Sequence, residues 1–426
     1  MLSPSQHSRQ ILRTFRMKAK SALMLSCVLA LVSAAAEAQS YTVLHYFTGG
    51  SDGANPQAGV TLGGPGTLYG TTVQGGTNAM GVVFQLKERL SAWTLNPLHE
   101  FAGVPHDGSS PEAGVVIGPN GAVYGTTAGG GSAGGYGTVF ELSPPARACD
   151  RAICYWDETI LYSFAGHQNG GVPGYGNVTF DQAGNVYGTA TDGGAHGFGV
   201  VWELTRQQDR WTQTVLYSFP GGSDGATPYS GVIFDPAGNL YGNTTGYFEN
   251  SASVYELSPS NGSWVETTLG EVNYQIVPPY GTLIRDQSGN LYGTGDGQNG
   301  GVNGGVYEYS PSGGMSLVFN FGLTFCRPNA GVTLGPDGNL YGVCVTGGAF
   351  DDGWVFELPP NCNQQCTPND LHDFDLTNGG FPNGPVVFDA DGNLYGTALG
   401  GGNTSEACWV YGCGVVWEMT GVVPQR

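Results

Sequence analysis

Positive charge is what this chain has least of. It holds 14 Lys and Arg against 34 Asp and Glu, a formal net charge of −20 over 426 residues. Five of the basic residues and one acid fall in the first 38 positions. The remainder keeps nine basic and 33 acidic residues, a net charge near −24, with Lys87 its only lysine. Such a surface cannot neutralise a phosphate backbone by releasing counterions, which excludes nucleic acid as a partner. Helical periodicity is missing from every window, which excludes bundles and helical solenoids. The apolar run at 22–36 is too short to span a bilayer. Also missing are a phosphate-binding Gly-Lys-Ser/Thr loop, a G-x-S-x-G elbow and a dinucleotide fingerprint between strand and helix.

The apolar run has another use. Arg9, Arg13, Arg16, Lys18 and Lys20 precede it, and Ala36-Glu37-Ala38 follows as a small-x-small cleavage site. This is the plan of a secretory signal peptide over 1–38, and Met17 is an alternative start that still leaves a complete signal. Cys27 after Leu25-Ser26 faintly resembles a lipoprotein site, but the later cleavage site fits better. Residues 39–426 are then expected as a single domain with no membrane span, secreted or periplasmic. Eight cysteines remain there, several close together: Cys149/Cys154, Cys362/Cys366 and Cys408/Cys413, with Cys326/Cys344 left as a further pair. In an oxidising compartment these read as local disulfide staples of long loops. Zinc ligation is the alternative, and no neighbouring histidine or C-x-x-C pair supports it.

What is abundant is repetition. A Tyr-Gly pair recurs at Tyr69, Tyr124, Tyr187, Tyr241, Tyr292, Tyr341 and Tyr395, at spacings of 49–63 residues. Upstream of each, an apolar run opens at Gly59, Gly114, Gly176, Gly231, Gly281, Gly331 and Gly384. Downstream comes a third run (VVFQL, TVFEL, VVWEL, SVYEL, GVYEY, WVFEL, VVWEM), then a fourth such as LHEF or LYSF. Four short runs rich in Val, Phe, Tyr and Trp, joined by turns such as DPAGN, predict a four-stranded sheet per unit. A four-stranded sheet repeated about every 50 residues is the signature of a propeller blade. The seventh unit lacks its fourth strand, and an orphan strand of that type, YTVLHYF, stands at 41–47. The expected fold is therefore an all-β, seven-bladed β-propeller of four-stranded blades, its ring closed by strand 41–47 pairing in the last blade. Closure removes the exposed edges of an open array.

The segments FTGGSDGANPQAG (47–59) and FPGGSDGATPYSG (219–231), with GNLYGTG and GTVFEL, also resemble the bacterial GloVer (Gloeobacter–Verrucomicrobia) tandem repeat family. The resemblance covers essentially all of 39–426. It implies a secreted or surface repeat protein, a family that can carry various anchors. It implies no established reaction and transfers no catalytic residue. The chain differs in showing no anchor, sorting signal or membrane helix, which points to free secretion or the periplasm.

Loops joining one blade's outer strand to the next blade's inner strand share the usual ligand-binding face with loops between second and third strands. A proline stands in every crossing (Pro56, Pro111, Pro173, Pro228, Pro278, Pro328, Pro382) and is read as fixing the loop's path. The recurring Glu141, Glu203, Glu256, Glu308, Glu357 and Glu418, the anchor tyrosines, and His45, His99 and His372 are read as satisfying each blade's own hydrogen bonds. A ligand site should break the symmetry. The asymmetric groups on that face are His106, Asp107, Asp192, His196, Asp296, Asp351 and Asp352. They are catalytic candidates if the protein is an enzyme, as carboxylate pairs on a glycosidic bond or as a histidine base in a polysaccharide lyase. The competing reading is that acids beside glycine form Asx-turns in solvated loops. Tyr175, Tyr229 and Tyr280 near the channel, with Trp409 and Tyr411 in the last blade's long loop, either stack on sugars or plug and pack the ring.

GGSDG and DDG loops are oxygen-rich but lack the spacing of a calcium loop, so calcium is only an alternative to having no cofactor or metal. The expected function is an extracellular binding or scaffold module for glycans or cell-envelope components, with a protein partner as a further reading. A polysaccharide lyase or glycoside hydrolase is the enzymatic alternative.

Overall fold

The computed structural model describes residues 39–132, 134–146, 154–208, 210–246, 252–271, 281–295, 304–322, 325–403, 408 and 410–423. The expected signal segment, 1–38, lies outside them. Seven four-stranded antiparallel sheets follow one another along the chain. The first blade is typical: a two-residue inner strand (Thr61–Leu62), then Thr67–Thr72, Val82–Arg89 and the outer strand Ala92–Glu100. Strands lengthen outward, as a wedge around an axis requires. In the seventh blade, Val387–Phe388, Leu394–Ala398 and Val415–Thr420 are completed by Ser40–Tyr46, which pairs with Val415–Thr420 from Ser40 opposite Thr420 to Tyr46 opposite Val415. The N-terminal strand closes the ring.

Each residue of the anchor, Tyr-Gly followed by Thr in five of the seven copies, has a separate job. In blades with an aspartate in the preceding turn, the tyrosine hydroxyl can meet both it and the third-strand glutamate, as Tyr187 does with Asp181 (3.2 Å) and Glu203 (2.7 Å), and Tyr395 with Asp389 (3.1 Å) and Glu418 (2.8 Å). Tyr69 of the first blade instead accepts from Gln85 (3.0 Å). The glycine leaves room for the third-strand ring: a Cβ on Gly70, Gly188 or Gly396 would overlap Phe84, Trp202 or Trp417. The threonine reaches the next blade. Thr71 donates to the carbonyl of Ala113 (2.8 Å), Thr189 to Ser230 (2.8 Å), Thr294 to Ala330 (2.7 Å) and Thr397 to Ala58 (2.8 Å), and Asn243 does the same to Gly281 (2.9 Å).

The core lies between blades. A phenylalanine just past six of the seven outer strands packs on the third-strand ring of the next blade: Phe47 on Phe84, Phe101 on Phe140, Phe164 on Trp202, Phe219 on Tyr255, Phe321 on Phe356 and Phe374 on Trp417, with centroids 5.0–6.0 Å apart. Each such ring, fully buried, contributes about 1.5–3 kcal/mol. In every blade the third and outer strands shift register once, so one outer-strand residue (Leu44, Leu98, Leu161 and their counterparts) bulges out of the ladder. That bulge re-aims the residues after it toward the rim. Disulfides join Cys326 to Cys344, Cys362 to Cys366 and Cys408 to Cys413, with Cα–Cα distances of 5.0, 5.2 and 4.7 Å. These match the expected pairs. For the fourth, Cys149 lies outside the described residues, although Cys154 is itself disulfide-bonded.

Candidate functional site

At the axis, the glycine opening each inner strand sits against the neighbouring inner strand. A Cβ on Gly59 would overlap the carbonyl of Pro385, one on Gly176 the backbone of Gly231, and one on Gly281 the backbone of Gly331. Only glycine lets seven chains crowd this closely, so the neck of the channel is backbone. Just outward, the described crossing prolines are buried, each against a glycine that precedes a third strand: Pro56 against Gly414, Pro111 against Gly81, Pro173 against Gly137, while Pro278 lies outside the described residues. Prolines locked in this way fix where the next one or two residues point.

Those residues form the mouth, and the sevenfold symmetry stops there. After the prolines stand Gln57, Glu112, Gly174-Tyr175, Tyr229, Asn329 and Asn383, with Arg327 just ahead of Pro328. All of these but Gly174 line a cavity of ≈ 260 Å³ together with Asn177 and five of the inner-strand glycines. Tyr175 and Tyr229 stack on each other at 3.8 Å and 17°. Glu112 is half-buried and hydrogen-bonds Tyr175. Burial raises its pKa above the ordinary carboxylate value, and the tyrosine bond offsets this only in part. Burial and the neighbouring Glu112 also raise Tyr175. Asn329 donates to Asn383 (3.2 Å), leaving its own Oδ1 buried without a partner among the described residues. The described lining thus presents a paired aromatic ledge, one carboxyl, several amides and one guanidinium. That set can pack a ring face and exchange hydrogen bonds with hydroxyls. One carboxylate is too few to hold a metal.

The structure distributes the other sequence candidates around the rim. His106 and His196 are exposed in loops. Asp192 is exposed, and its backbone pairs with Gly171 (2.9 and 3.1 Å), which ties a crossing to a loop between second and third strands. Asp107 turns outward to His99 (3.1 Å) and accepts from the backbone of Ala102 and Gly108. Asp351 has a left-handed backbone and accepts from the Gly347 N–H (3.2 Å). The carboxyl of Asp352 is pushed up by burial, Asp351 and Asp375. None of these enters the mouth cavity. Tyr411 packs edge-on to Phe381 (5.0 Å) in the last blade, away from the stacked pair. Asp296, Tyr280 and Trp409 lie outside the described residues. Sequence reasoning found Tyr175 and Tyr229 but passed over Gln57, Glu112, Asn177, Arg327, Asn329 and Asn383. The signal was available for most of these, as the variable residues flanking an invariant proline.

Comparison with known proteins adds a family and a fold. The Gloeobacter/Verrucomicrobia repeat matches three times, over residues 30–252, 153–331 and 246–421. No curated protein matches. Among solved structures, a PL25 polysaccharide lyase, an ulvan lyase bound to -[GlcA(1-4)Rha3S]-, is 11% identical over 77% of this chain and 86% of its own, with a TM-score of 0.51. A PQQ-bound aldose sugar dehydrogenase from Streptomyces coelicolor is 14% identical over 89% and 98%, with a TM-score of 0.45. A protein of unknown function from Dyadobacter fermentans is 11% identical over 90% and 98%, with a TM-score of 0.46. At such identities the likeness is one of fold alone.

Proposed function

Because the chain belongs to the Gloeobacter/Verrucomicrobia repeat family and closes into one ring, we propose that it is a binding module for glycans, acting outside the cytoplasm through the channel mouth. The observation that carries this reading is the stacked Tyr175–Tyr229 pair set beside Glu112 at the place where the ring loses its symmetry. Sugar C–H faces pack on aromatic rings, while carboxyl and amide groups take up hydroxyls. A cavity of ≈ 260 Å³ is below the usual small-molecule range of about 300–1,000 Å³. It suits the end or a single ring of a glycan rather than a polymer lying flat. The three described disulfides fit an oxidising compartment, and secretion through the signal segment is part of the proposal.

A lyase is the second reading, favoured by one contact. The Glu112 carboxyl, with its raised pKa, is hydrogen-bonded to the Tyr175 hydroxyl, so a proton-transfer pair faces the cavity. The ulvan lyase of similar fold is described as bound to a uronate-containing saccharide, which makes such polymers sensible first ligands. Incubating the protein with a polysaccharide panel, with and without calcium, and reading products by mass spectrometry alongside melting temperature separates the readings. A raised melting temperature without products is expected. New unsaturated oligosaccharides make it a lyase, and silence in both readouts sinks the glycan proposal in favour of a protein partner.

A further inference from the structure

A second cluster stands at the rim between the first two blades, apart from the mouth. His99 lies on the outer strand Ala92–Glu100, Asp107 in the crossing that follows, and Glu158 on the second blade's outer strand Asp157–Ser163. The Nε2 of His99 is 3.1 Å from Asp107 Oδ2 and 3.6 Å from Glu158 Oε2. One ligand atom from each of the three falls within 4.8 Å of the others. Their side chains are 17, 13 and 15% exposed, so they are largely withdrawn from water yet reachable from it.

The ring supplies its own control. His45, on the strand that closes the seventh blade, occupies the register of His99: it lies opposite Val416 as His99 lies opposite Val83. It meets Asp52 at the same 3.1 Å, and each aspartate also accepts a backbone N–H of its crossing, from Thr48 (2.9 Å) or Ala102 (2.7 Å). The structural role of the pair is therefore complete without a third group. Beside His45, the register position of Glu158 is held by Leu95, which lies opposite Leu86 as Glu158 lies opposite Leu142. The fourth blade also carries a carboxylate there, Glu266 opposite Leu257, but the histidine position that precedes it is Tyr217. Among the described residues histidine and carboxylate occur together only at the first junction. The Oε1 of Glu158 is buried without a hydrogen-bond partner among the described residues. A second carboxylate facing the first, with one oxygen unsatisfied, costs free energy that a cation would return.

We propose that His99, Asp107 and Glu158 bind a divalent first-row transition ion, Zn²⁺ being the best match, as a clasp between the first and second blades. An imidazole nitrogen with two carboxylates suits zinc, whereas calcium and magnesium prefer all-oxygen sets. Tetrahedral bonds of about 2 Å put ligand atoms roughly 3.3 Å apart, and the separations of 3.1 and 3.6 Å from His99 to the two carboxylates bracket that value. The outer shell is in place. Asp107 Oδ1 accepts from the Gly108 N–H (2.6 Å), and the His99 ring rests edge-on against Phe101 (4.8 Å). This departs from the sequence expectation of no metal, because the three residues are 59 positions apart from end to end and meet only after adjacent blades pack.

The test is a zinc titration of chelator-treated full-length protein by calorimetry, with cobalt absorption and melting temperature as second readouts. Two variants copy what the ring already uses elsewhere: Glu158→Leu imitates Leu95, and His99→Tyr imitates Tyr162 and Tyr217 in the same register. His45→Tyr is the control. One equivalent of zinc should bind wild type and the control and raise their melting temperatures. Affinity should fall about tenfold or more in both rim variants, while their metal-free melting stays close to wild type. Absence of saturable zinc binding to wild type overturns the proposal. So does equal binding by Glu158→Leu, or loss in His45→Tyr matching that in His99→Tyr.

Discussion

Glu112 and the two tyrosines beside it are where single residues decide most. Replacing Tyr175 and Tyr229 together by alanine removes a stack worth about 0.5–1.5 kcal/mol beyond its buried area. Glycan affinity should drop about tenfold or more, with a small change in melting temperature because both rings are only half-buried. Unchanged affinity by calorimetry would remove the mouth from consideration. Glu112 makes a separate pH prediction. Burial raises its folded pKa above the ordinary 4.5, the Tyr175 bond offsetting only part. A raised folded pKa means that the stabilisation is fully present below pH 4.5 and is lost as pH rises through the folded value. Glu112→Gln keeps an acceptor for Tyr175 and cannot ionise. Its melting temperature should match wild type below pH 4.5 and exceed it near neutrality. Parallel profiles across that range would show that the carboxyl is not held out of water as described.

At the scale of the blade, the anchor glycine is the sharpest constraint. A Cβ on Gly188 would meet the indole of Trp202, itself fully buried between the second and third blades' cores. Gly188→Ala should therefore destabilise by about 1–3 kcal/mol through overpacking. Gly64→Ala, where the added atom meets nothing within 4 Å, should be close to neutral. Denaturant midpoints with unchanged slope would measure both, and equal midpoints would contradict the packing. This explains why the blades were legible in the sequence. The Tyr-Gly pair survives seven copies because the third-strand ring and the polar partners of the tyrosine hydroxyl constrain it, and threonine follows it in five, in four of which its hydroxyl donates to the next blade's carbonyl. The mouth was less legible for the opposite reason. Acid and histidine content singled out Asp107, Asp192 and Asp351, but those sit where loops need Asx-type acceptors or close on one another. What faces the axis is fixed by the step after each proline, where amides (Gln57, Asn329, Asn383), a carboxyl (Glu112) and a phenol (Tyr229) share a position but not one chemistry. Glu158 was hidden further still. Its significance lies in replacing a leucine of another blade, which only register reveals.

For the whole molecule the decisive feature is closure, since a ring of wedges is stable only if no junction is open. The N-terminal strand touches three blades at once. Tyr41 stacks on His372 at 3.7 Å and donates to the carbonyl of Asn378 (2.7 Å) in the sixth-to-seventh junction. Ser40–Tyr46 completes the ladder of Val415–Thr420, and Phe47 packs into the first blade on Phe84. The three described disulfides all lie in the last two blades or the crossing that leads into them, and Cys408–Cys413 packs in the cluster that holds Phe47. A chain beginning at Thr48 would lose Phe47 and Tyr41 from the core and leave Val415–Thr420 as an unpaired edge. With several kcal/mol of burial removed, the melting temperature should fall by roughly 10 °C or more, and the transition should broaden as the end blades fray before the middle ones. A peptide of residues 39–48 added in trans should restore part of the loss by strand addition, because the ladder and the pocket for Phe47 are still in place. A truncated chain that melts as sharply as the full one and within a few degrees of it would show that the ring holds without its closing strand. The inter-blade threonine bonds and ring contacts would then carry the cohesion alone.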